Sequence, residues 1–475
     1  MISIENLIYT LPLIIISSGI LLSVIIEMYS NKSENILPWF SLFLFTLSAI
    51  YALYSINSVS VVFQNMINTG GNVNLFYFIF CSGSAIVTLL SISYLKKYGA
   101  YFGEYFILLQ TSVLGMMLMA AARDLFVVFL GLEIMSVSFY VLAGLNRKRL
   151  SANEASLKYF LLGAFATGFL VYGIALIYGS VHTTSIQIIS SKFADLSGNI
   201  LFTGGILLFL IGFSFKIAAF PFHMWVPDVY QGAPTTVSAL FSTGGKAAAF
   251  SAIMVVLAVM FAGSGQNQFT PYLAVISTLS MLYGSIVAIA QTDIKRMLAY
   301  SSIAHAGYMI IGLSAGNALG VAGIIFYLAA YTFINLGAFG VVSIIEGEDE
   351  SNLTIDSYSG LNKKSPMLAA LLAIFMFSLA GIPPFAGFFG KYYVFIAAIK
   401  ADLTWLAILG VFSSAISAYF YLRIVVVMYF KDSSSDFKIE KSSTANLAII
   451  ISVLFVVLLG VAPGSLIDLI TSFLK

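Results

Sequence analysis

Long apolar stretches are the feature that most constrains how this sequence can fold. Fourteen of them are long enough to cross a bilayer, which takes about 20 helical residues for about 30 Å of hydrocarbon. They fall at 7–28, 37–56, 75–95, 105–122, 124–145, 157–179, 200–220, 235–260, 271–291, 297–315, 318–345, 366–400, 404–430 and 446–471. None shows the alternating pattern of membrane β-barrel strands. The sequence therefore predicts an all-α polytopic membrane protein with about 14 transmembrane helices.

The composition excludes a soluble globular protein. Hydrophobic residues make up 60% of the chain and charged residues only 9%, whereas soluble proteins carry about 25% charged residues. The formal net charge of +2 gives no indication of nucleic-acid binding. The single cysteine, Cys81, excludes an internal disulfide framework and a cysteine-ligated iron–sulfur cluster. The first thirty residues contain no Lys or Arg, so we interpret the first stretch as a retained span and not as a signal peptide.

The distribution of basic residues predicts the orientation in the membrane. An even number of helices places both termini on one side, and cytoplasmic loops are enriched in Lys and Arg. With the N-terminus outside, thirteen basic residues fall in inner loops: Lys32, Lys96, Lys97, Arg147, Lys148, Arg149, Lys295, Arg296, Lys363, Lys364, Lys431, Lys438 and Lys441. Only four fall in outer segments: Arg123, Lys192, Lys400 and Lys475. We therefore expect both termini to lie outside the cytoplasm.

Four charged residues lie inside predicted transmembrane helices: Glu133, Lys216, Lys246 and Lys391. A charge at the centre of a bilayer costs about 2.5–3.5 kcal/mol on insertion scales, so these groups must face protein or water. Three lysines against one glutamate do not balance, which favours a proton relay over ion pairs that only hold helices together. Burial disfavours a charged lysine and a nearby carboxylate favours it, so such a lysine can exchange its proton when its partner moves.

Three further residues, Glu154, Lys158 and His223, are secondary candidates for the relay. A fourth residue, His305, has two alternative roles. Lys158 follows Glu154 by four residues, an order that favours a helical ion pair, although snorkelling is an equal alternative. His223 follows Pro221, and His305 lies mid-helix, either as a proton carrier or as a hydrogen-bonded core residue. No H-x-x-H pair, G-x-G-x-x-G motif or Walker motif occurs, so we predict no metal, nucleotide or flavin site.

The seventh and twelfth helices are predicted to be broken. Pro221 follows Lys216, and Pro383 and Pro384 precede Lys391; a proline within a helix removes a backbone hydrogen bond. Broken backbone at membrane depth is tolerated only where protein or water covers it. Paired broken helices in corresponding halves are typical of transport sites built from inverted repeats.

The spacing of polar residues supports an inverted repeat. Three pairs recur at nearly the same offset: Glu133 and His305 (172 residues), Lys216 and Lys391 (175), and Lys246 and Arg423 (177). Each offset is five helices, an odd number, so the second copy crosses the membrane in the opposite direction. We therefore predict a single membrane domain, 1–475, with these parts: helices 1–3 (1–95), a first repeat of helices 4–8 (105–260), a second of helices 9–13 (271–430), and helix 14 (446–471).

The longest charged loop covers residues 346–364. It begins with the acidic residues Glu346, Glu348, Asp349 and Glu350 and ends with basic ones. We interpret it as a solvated linker on the inner face.

Four segments resemble the antiporter-like membrane subunits of proton-pumping NADH:quinone oxidoreductase, respiratory complex I. The most specific is Pro-Phe-His-Met-Trp-Val-Pro-Asp-Val-Tyr-Gln-Gly-Ala-Pro-Thr at 221–235. The others are Ala-Tyr-Ser-Ser-Ile-Ala-His-Ala-Gly-Tyr at 299–308, Ala-Ser-Leu-Lys-Tyr-Phe-Leu-Leu-Gly-Ala at 155–164, and Ser-Gly-Leu-Asn-Lys-Lys-Ser-Pro at 359–366. The likeness spans essentially the whole chain and is greatest to the subunit N branch, because a lysine stands at 391 where subunit M usually carries a glutamate.

The resemblance implies proton export coupled to electron transfer from NADH to quinone. It implies a relay through five residues: Glu133 paired with Lys216, then Lys246, His305 and, on the exit side, Lys391. It implies no cofactor in this chain, with NADH, FMN, iron–sulfur clusters and quinone bound elsewhere in the complex. The implied partners are lipid and the other membrane subunits, especially subunit M and the small subunits K and J. The implied location is a bacterial cytoplasmic membrane, with both termini periplasmic.

Two other functions stay open. One is a subunit of a multi-subunit cation/proton antiporter, which shares the fold. The other is a purely structural membrane scaffold. An intramembrane metalloenzyme is disfavoured because metal ligands are lacking.

Overall fold

The structure is a computed structural model that describes residues 4–196, 198–261, 269–347, 351–432 and 442–474. Six charged residues named above lie outside the described residues: Glu348, Asp349, Glu350, Lys438, Lys441 and Lys475.

The N-terminal part consists of helices and one small hairpin. The helices are α1 (Ile4–Tyr9), α2 (Leu11–Tyr29), α3 (Ser33–Tyr54), α4 (Gly71–Lys97), α5 (Gly103–Ala121), α6 (Leu125–Ala143), α7 (Leu150–Val181), α8 (Ile186–Ser191) and α9 (Phe193–Leu196). Strands β1 (Ser60–Val62) and β2 (Ile67–Thr69) pair antiparallel between α3 and α4. This hairpin was not predicted, because each strand has only three residues.

The central part contains the first broken span. Its helices are α10 (Ile200–Lys216), α11 (Trp225–Gly232), α12 (Thr235–Leu240), α13 (Lys246–Phe261), α14 (Thr270–Ile289), α15 (Ile294–Ala315) and α16 (Ala318–Ile345). A π-helical turn, Phe241–Gly245, joins α12 to α13.

The C-terminal part contains the second broken span. After a 3₁₀ turn (Ile355–Tyr358) come α17 (Leu361–Lys364), α18 (Pro366–Ala380), α19 (Ala386–Ile399), α20 (Thr404–Phe430), α21 (Ser443–Val461) and α22 (Pro463–Ser472).

Each of the fourteen predicted spans coincides with helix in the structure. Among the described residues, eleven helices are long and apolar enough to cross a membrane, α12 to α13 counting as one. The remaining three spans are α10, α15 and the pair α18–α19. The predicted all-α membrane fold is therefore confirmed.

Both predicted breaks are present. The first separates α10 from α11 and contains Ala218, whose φ is +64°. The second separates α18 from α19 and begins at Gly381, whose φ is +86°. A buried lysine is found at each break. α10 ends at Lys216 itself, and α18 ends at Ala380, whose carbonyl oxygen accepts a hydrogen bond from Lys391.

Two spans differ from the prediction in detail. The predicted helix 446–471 is two helices, because Pro463 has no backbone N–H and starts a new helix, α22. The span 235–260 contains the π-helical turn directly before Lys246. A Cβ at Gly245 would lie 2.6 Å from a ring carbon of Phe139, and one at Gly244 would lie 3.0 Å from the sulfur of Met116. Glycines therefore allow α5 and α6 to pack closely against this turn.

The prediction of a solvated linker from residue 346 is wrong at its first residue. Glu346 is 0% exposed, because the Tyr94 and Thr235 side chains cover and bind its carboxylate. Lys295, which was predicted to lie in an inner loop, lies in the first turn of α15 and is also 0% exposed.

Burial divides the helices into central and peripheral groups. Of the 18 most apolar consecutive residues of each span, 94% are buried in α16 and in α12–α13, but only 28% are buried in α2 and in α7. α15 packs against α16, and α16 packs against α12 and α19. This centre is where Lys246, His305 and Lys391 lie.

Candidate functional site

Lys246 is buried at the start of α13 and is only 2% exposed. Its Nζ donates hydrogen bonds to the carbonyl oxygen and the hydroxyl of Ser302 on α15, each at 2.5 Å. The same nitrogen lies 5.2 Å from the ring centroid of Tyr331 on α16. Lys246 thus contacts a hydroxyl, a carbonyl and an aromatic face, none of which is an anion.

His305 lies one turn after Ser302 on α15 and is hydrogen-bonded through both ring nitrogens. Nδ1 is 2.7 Å from the Tyr327 hydroxyl on α16, and Nε2 is 3.0 Å from the Tyr421 hydroxyl on α20. The Tyr421 hydroxyl also bonds the Ser301 hydroxyl. His305 is therefore a hydrogen-bonded core residue, and its two hydroxyl partners are also what a proton carrier needs.

Lys391 lies on α19 and reaches back across the second break. Its Nζ donates to the carbonyl oxygens of Leu379 (3.1 Å) and Ala380 (2.9 Å) and to the Ser414 hydroxyl (2.8 Å). In the part of the chain that the structure describes, no carboxylate lies within 4 Å of it. A cation at the end of a helix stabilises the unpaired carbonyls there, so Lys391 also has a structural role at the break.

Aromatic rings connect these three basic residues. The Tyr331 ring, which contacts Lys246, lies 4.9 Å from the His305 ring, centroid to centroid. The Tyr308 ring lies 5.7 Å from the His305 ring, and its centroid is 5.0 Å from Lys391 Nζ. Lys246, His305 and Lys391 therefore form one continuous buried line with Tyr331 and Tyr308 between them.

Lys216 and Glu133 lie on facing helices but do not touch. Lys216 Nζ donates to the Ser136 hydroxyl (2.8 Å) and approaches the Tyr140 hydroxyl (3.3 Å). Glu133, half-buried and one turn before Ser136 on α6, accepts a hydrogen bond of 2.9 Å from the Thr167 hydroxyl. No ion pair within 4 Å joins the two residues in the described structure. The resemblance implies that these residues pair, but in the structure each contacts a different hydroxyl, Lys216 that of Ser136 and Glu133 that of Thr167.

An aromatic group separates Lys216 from Lys246. Lys216 Nζ is 5.9 Å from the Tyr159 ring centroid, and Tyr159 stacks on Trp225 at 4.4 Å. Trp225 contacts Tyr230, which neighbours the Ser302 side chain. Among the described residues no direct hydrogen bond joins Lys216 to Lys246.

The secondary candidates lie apart from the buried line. Lys158 pairs with Glu154 at 2.6 Å and with Asp228 at 2.8 Å, and Arg296 pairs with Asp228 at 2.7 Å. The Lys158 side chain is 40% exposed, so this group is a partly solvated ion-pair network that joins α7, α11 and α15. His223 is buried between the rings of Phe220 and Tyr283, with centroid distances of 5.3 and 4.6 Å.

Sequence reasoning missed the uncharged members of the site. Tyr327 and Tyr331 stand four residues apart on α16, so they lie on one face of this mostly apolar helix. Tyr308 follows His305 by three residues on α15. This spacing was visible in the sequence, but tyrosines are common in membrane helices, and only their contacts distinguish these from the rest.

Comparison with known proteins identifies the family of this chain. A family model described as "NADH:quinone oxidoreductase/Mrp antiporter, TM" matches residues 122–417. NADH-quinone oxidoreductase subunit N 1 from Chloroherpeton thalassium is 44% identical over 467 residues, which cover 98% of this chain and 97% of that protein. The chain belongs to the NADH-quinone oxidoreductase subunit N family.

Two solved structures similar to this subunit N family member come from different complexes. A chain of respiratory complex I from Thermus thermophilus is 31% identical, with a TM-score of 0.83, and covers 97% of this chain and 99% of its own. A chain of the Mrp complex from Dietzia sp. has a TM-score of 0.87 but only 20% identity, with 98% and 97% covered. The second likeness shows the fold alone.

Proposed function

We propose that this chain is a proton-translocating membrane subunit of a bacterial NADH:quinone oxidoreductase, in which electron transfer from NADH to quinone drives proton export. The identity of 44% to a subunit N protein across almost the whole chain supports the membership of that complex. The observation that carries the transport role is the buried line of Lys246, His305 and Lys391 with its interposed tyrosines. Groups that can exchange protons are expensive at membrane depth and mark transport paths.

Within this function, the relay begins at Glu133 and ends at Lys391. A change in the electrostatic field at Glu133 alters how strongly Lys216 holds its proton. That change is passed on to Lys246, and a proton then moves along the line through His305. When one ring nitrogen of His305 accepts a proton, the other can release one, because both nitrogens have hydroxyl partners. No redox group of this chain takes part; NADH, FMN, iron–sulfur clusters and quinone belong to other subunits.

The location of Glu133 supports a partner chain at the α6–α7 face. Glu133 is a half-buried carboxylate within a membrane span, and Thr167 is its one hydrogen-bond partner among the described residues. A carboxylate open to lipid is costly. We therefore place a neighbouring membrane subunit there, and we propose the antiporter-like subunit M and the small subunits K and J as the partners around this chain.

Orientation and internal symmetry complete the proposal. We propose that both termini are periplasmic, as the loop charges predict. We also propose that 105–260 and 271–430 are the inverted repeats. Their support is the pair of broken helices at corresponding places, α10–α11 and α18–α19.

The second candidate function is a subunit of a cation/proton antiporter. The TM-score of 0.87 to the Mrp chain means that the fold does not separate the two functions. The higher identity to subunit N favours the oxidoreductase. A purely structural scaffold is disfavoured, because three buried lysines without carboxylate partners within 4 Å among the described residues would only destabilise it.

The test is purification of the complex from native membranes through a tag on this chain. We expect NADH:quinone activity and the other hydrophobic subunits to be recovered with it, and NADH to drive acidification in proteoliposomes. Sodium transport driven by a proton gradient, without NADH and without those subunits, would instead establish the antiporter.

Substitution of Glu133 tests the start of the relay. We expect Glu133→Gln to lower proton pumping about threefold or more, and Glu133→Asp to stay within about twofold, because only Asp retains the charge. Gln can still accept the hydrogen bond from Thr167, so the substitution isolates the charge. Thr167→Val is the control, since it removes that hydrogen bond and leaves the carboxylate. Near-normal pumping in both the Gln and Asp variants would reduce Glu133 to a packing residue.

A further inference from the structure

A buried carboxylate lies outside the proposed relay. Glu346 directly follows the last residue of α16 and is fully buried. The Tyr94 hydroxyl donates to its Oε1 at 3.2 Å, and the Thr235 hydroxyl donates to its Oε2 at 2.5 Å. A carboxylate removed from solvent is retained only where hydrogen bonds or opposite charges compensate for its lost hydration.

A buried cation on α15 binds the same segment that Glu346 binds. Lys295 is also fully buried, and its Nζ donates to the Ala233 carbonyl oxygen at 2.7 Å. Ala233 and Thr235 flank Pro234, so the ammonium and the carboxylate are held on either side of one residue. A buried acid and a buried base are thus brought together at the start of α12.

Other titratable groups face this pair from α4, from the residue after it, from the 3₁₀ turn and from the start of α15. From α4, Lys97 donates to the Glu346 backbone carbonyl at 2.7 Å, and the Tyr98 hydroxyl donates to that of Gly347 at 2.9 Å. Tyr358 of the 3₁₀ turn interacts electrostatically with Glu346 and with Asp293, the N-cap residue of α15. Glu346 is therefore surrounded mostly by cations and hydroxyls.

The same two helices that hold Glu346 also hold Lys246. Thr235 begins α12, which continues through the π-helical turn to Lys246, and α12 packs against α16. On α16, Glu346 stands at one end and Tyr331, the ring beside Lys246, stands four turns earlier. Two further buried polar side chains of α16, Tyr331 and Asn335, lie along this stretch, and Tyr331 interacts with Ser302 and with Asn335. The α12–α16 seam therefore runs from a buried acid to a buried lysine and contains buried polar side chains.

We propose that Glu346 loads protons into the relay from the end of the bundle where α16 finishes and α12 begins, the predicted cytoplasmic end. This inference rests on the proposed function of proton translocation. A proton from that side binds a carboxylate oxygen of Glu346. The O–H bond then breaks, water molecules along the α12–α16 seam carry the proton over the intervening four turns, and neutral Lys246 accepts it at Nζ, which restores the Glu346 carboxylate. The transfer consumes no other reactant.

The alternative is a purely structural role, in which the hydrogen bonds of Glu346 only hold the end of α16 against α4 and α12. We call this the clamp role. The two roles separate experimentally, because a clamp needs the hydrogen bonds and a loading group needs the titrating carboxyl. Tyr94→Phe removes one donor and leaves the carboxyl. Glu346→Gln leaves hydrogen-bonding atoms at both positions and removes the titration.

The experiment compares assembled complexes in proteoliposomes by NADH oxidation, NADH-driven acidification and the pH dependence of pumping. We expect Glu346→Gln to lower protons pumped per NADH by about threefold or more. We expect Glu346→Asp and Tyr94→Phe to retain more than half of the pumping, with a shifted pH profile. The matched control is Glu104→Gln, which removes an exposed carboxylate from the first turn of α5, at the same predicted end.

The outcomes distinguish this inference from the proposed function. Normal pumping in Glu346→Gln, beside lost pumping in Lys246→Met, would overturn the loading role and leave the relay in place. Normal pumping in both variants would overturn the relay as well. If Tyr94→Phe and Glu346→Gln reduce the assembled complex equally, and Glu346→Asp does not restore pumping, Glu346 is a clamp and the loading role is overturned.

Discussion

Replacement of Lys391 by alanine is expected to lower NADH-driven proton pumping about fivefold or more in complexes that still assemble, because it removes the proposed last proton carrier. Lys391→Arg should also be impaired, since a guanidinium can donate to the same carbonyls but does not release its proton. Lys391→Glu should retain part of the activity, because a buried carboxyl can hold and release a proton and can donate to a carbonyl when protonated. The measurement is acidification by proteoliposomes that contain equal amounts of assembled complex.

A purely structural role of Lys391 predicts the opposite order of pumping activity among the Lys391 variants. Lys391 binds the carbonyls of Leu379 and Ala380 at the end of α18. If it only stabilises that helix end, Arg should serve and Glu should fail, because a carboxylate would repel the carbonyl oxygens. Lys400→Ala is the control, since Lys400 is exposed at the other end of the same helix. A fully active Arg variant beside an inactive Glu variant would contradict the carrier role.

Replacement of Gly387 by alanine is expected to lower the amount of assembled complex at least about twofold, because overpacking at a fixed backbone contact costs about 1–3 kcal/mol or more. An added Cβ would overlap the carbonyl oxygen of Ser378, which is backbone and cannot rotate away. The Gly387 N–H also donates to the Ser378 hydroxyl at 3.1 Å. The collision separates α18 from α19 and displaces Lys391, which lies one turn further along α19. The measurement is the amount of intact complex on native gels.

Gly204→Ala is the matched control for this prediction. Gly204 also lies within a membrane helix, α10, but an added Cβ there meets no atom of the chain within 4 Å. Normal assembly and pumping in Gly387→Ala would contradict this prediction. It would mean that α18 and α19 can move apart at the second break without loss of function.

The fold was predictable because membrane insertion depends on a local property. Each span needs enough consecutive apolar residues, and the fourteen stretches counted in the sequence coincide with helices. Prolines mark local interruptions, so both broken helices were predicted from Pro221 and from Pro383–Pro384. Two smaller features were not predicted. The strands of the β1–β2 hairpin have only three residues each, and the π-helical turn before Lys246 packs against distant segments, α5 and α6.

The charged members of the site were predictable for a related reason. A lysine within an apolar stretch is conspicuous, because the free-energy cost of its charge in lipid must be compensated. The partners were not predictable, since Tyr327 and Tyr421 approach His305 from helices that are close only in the folded chain.

The sequence by itself determined the membrane fold, its broken helices and the three buried lysines, because hydropathy, backbone donors and charge belong to each segment separately. Only the tertiary structure decided which charges are buried near the ends of helices. Glu346 and Lys295 stand next to polar segments and look solvated in the sequence, yet both are fully buried, whereas Lys158, at the start of the apolar stretch 157–179, is 40% exposed. The physical reason is that the burial of a helix end depends on its neighbours: Tyr94 and Thr235 cover Glu346, and they come from parts of the chain 252 and 111 residues away.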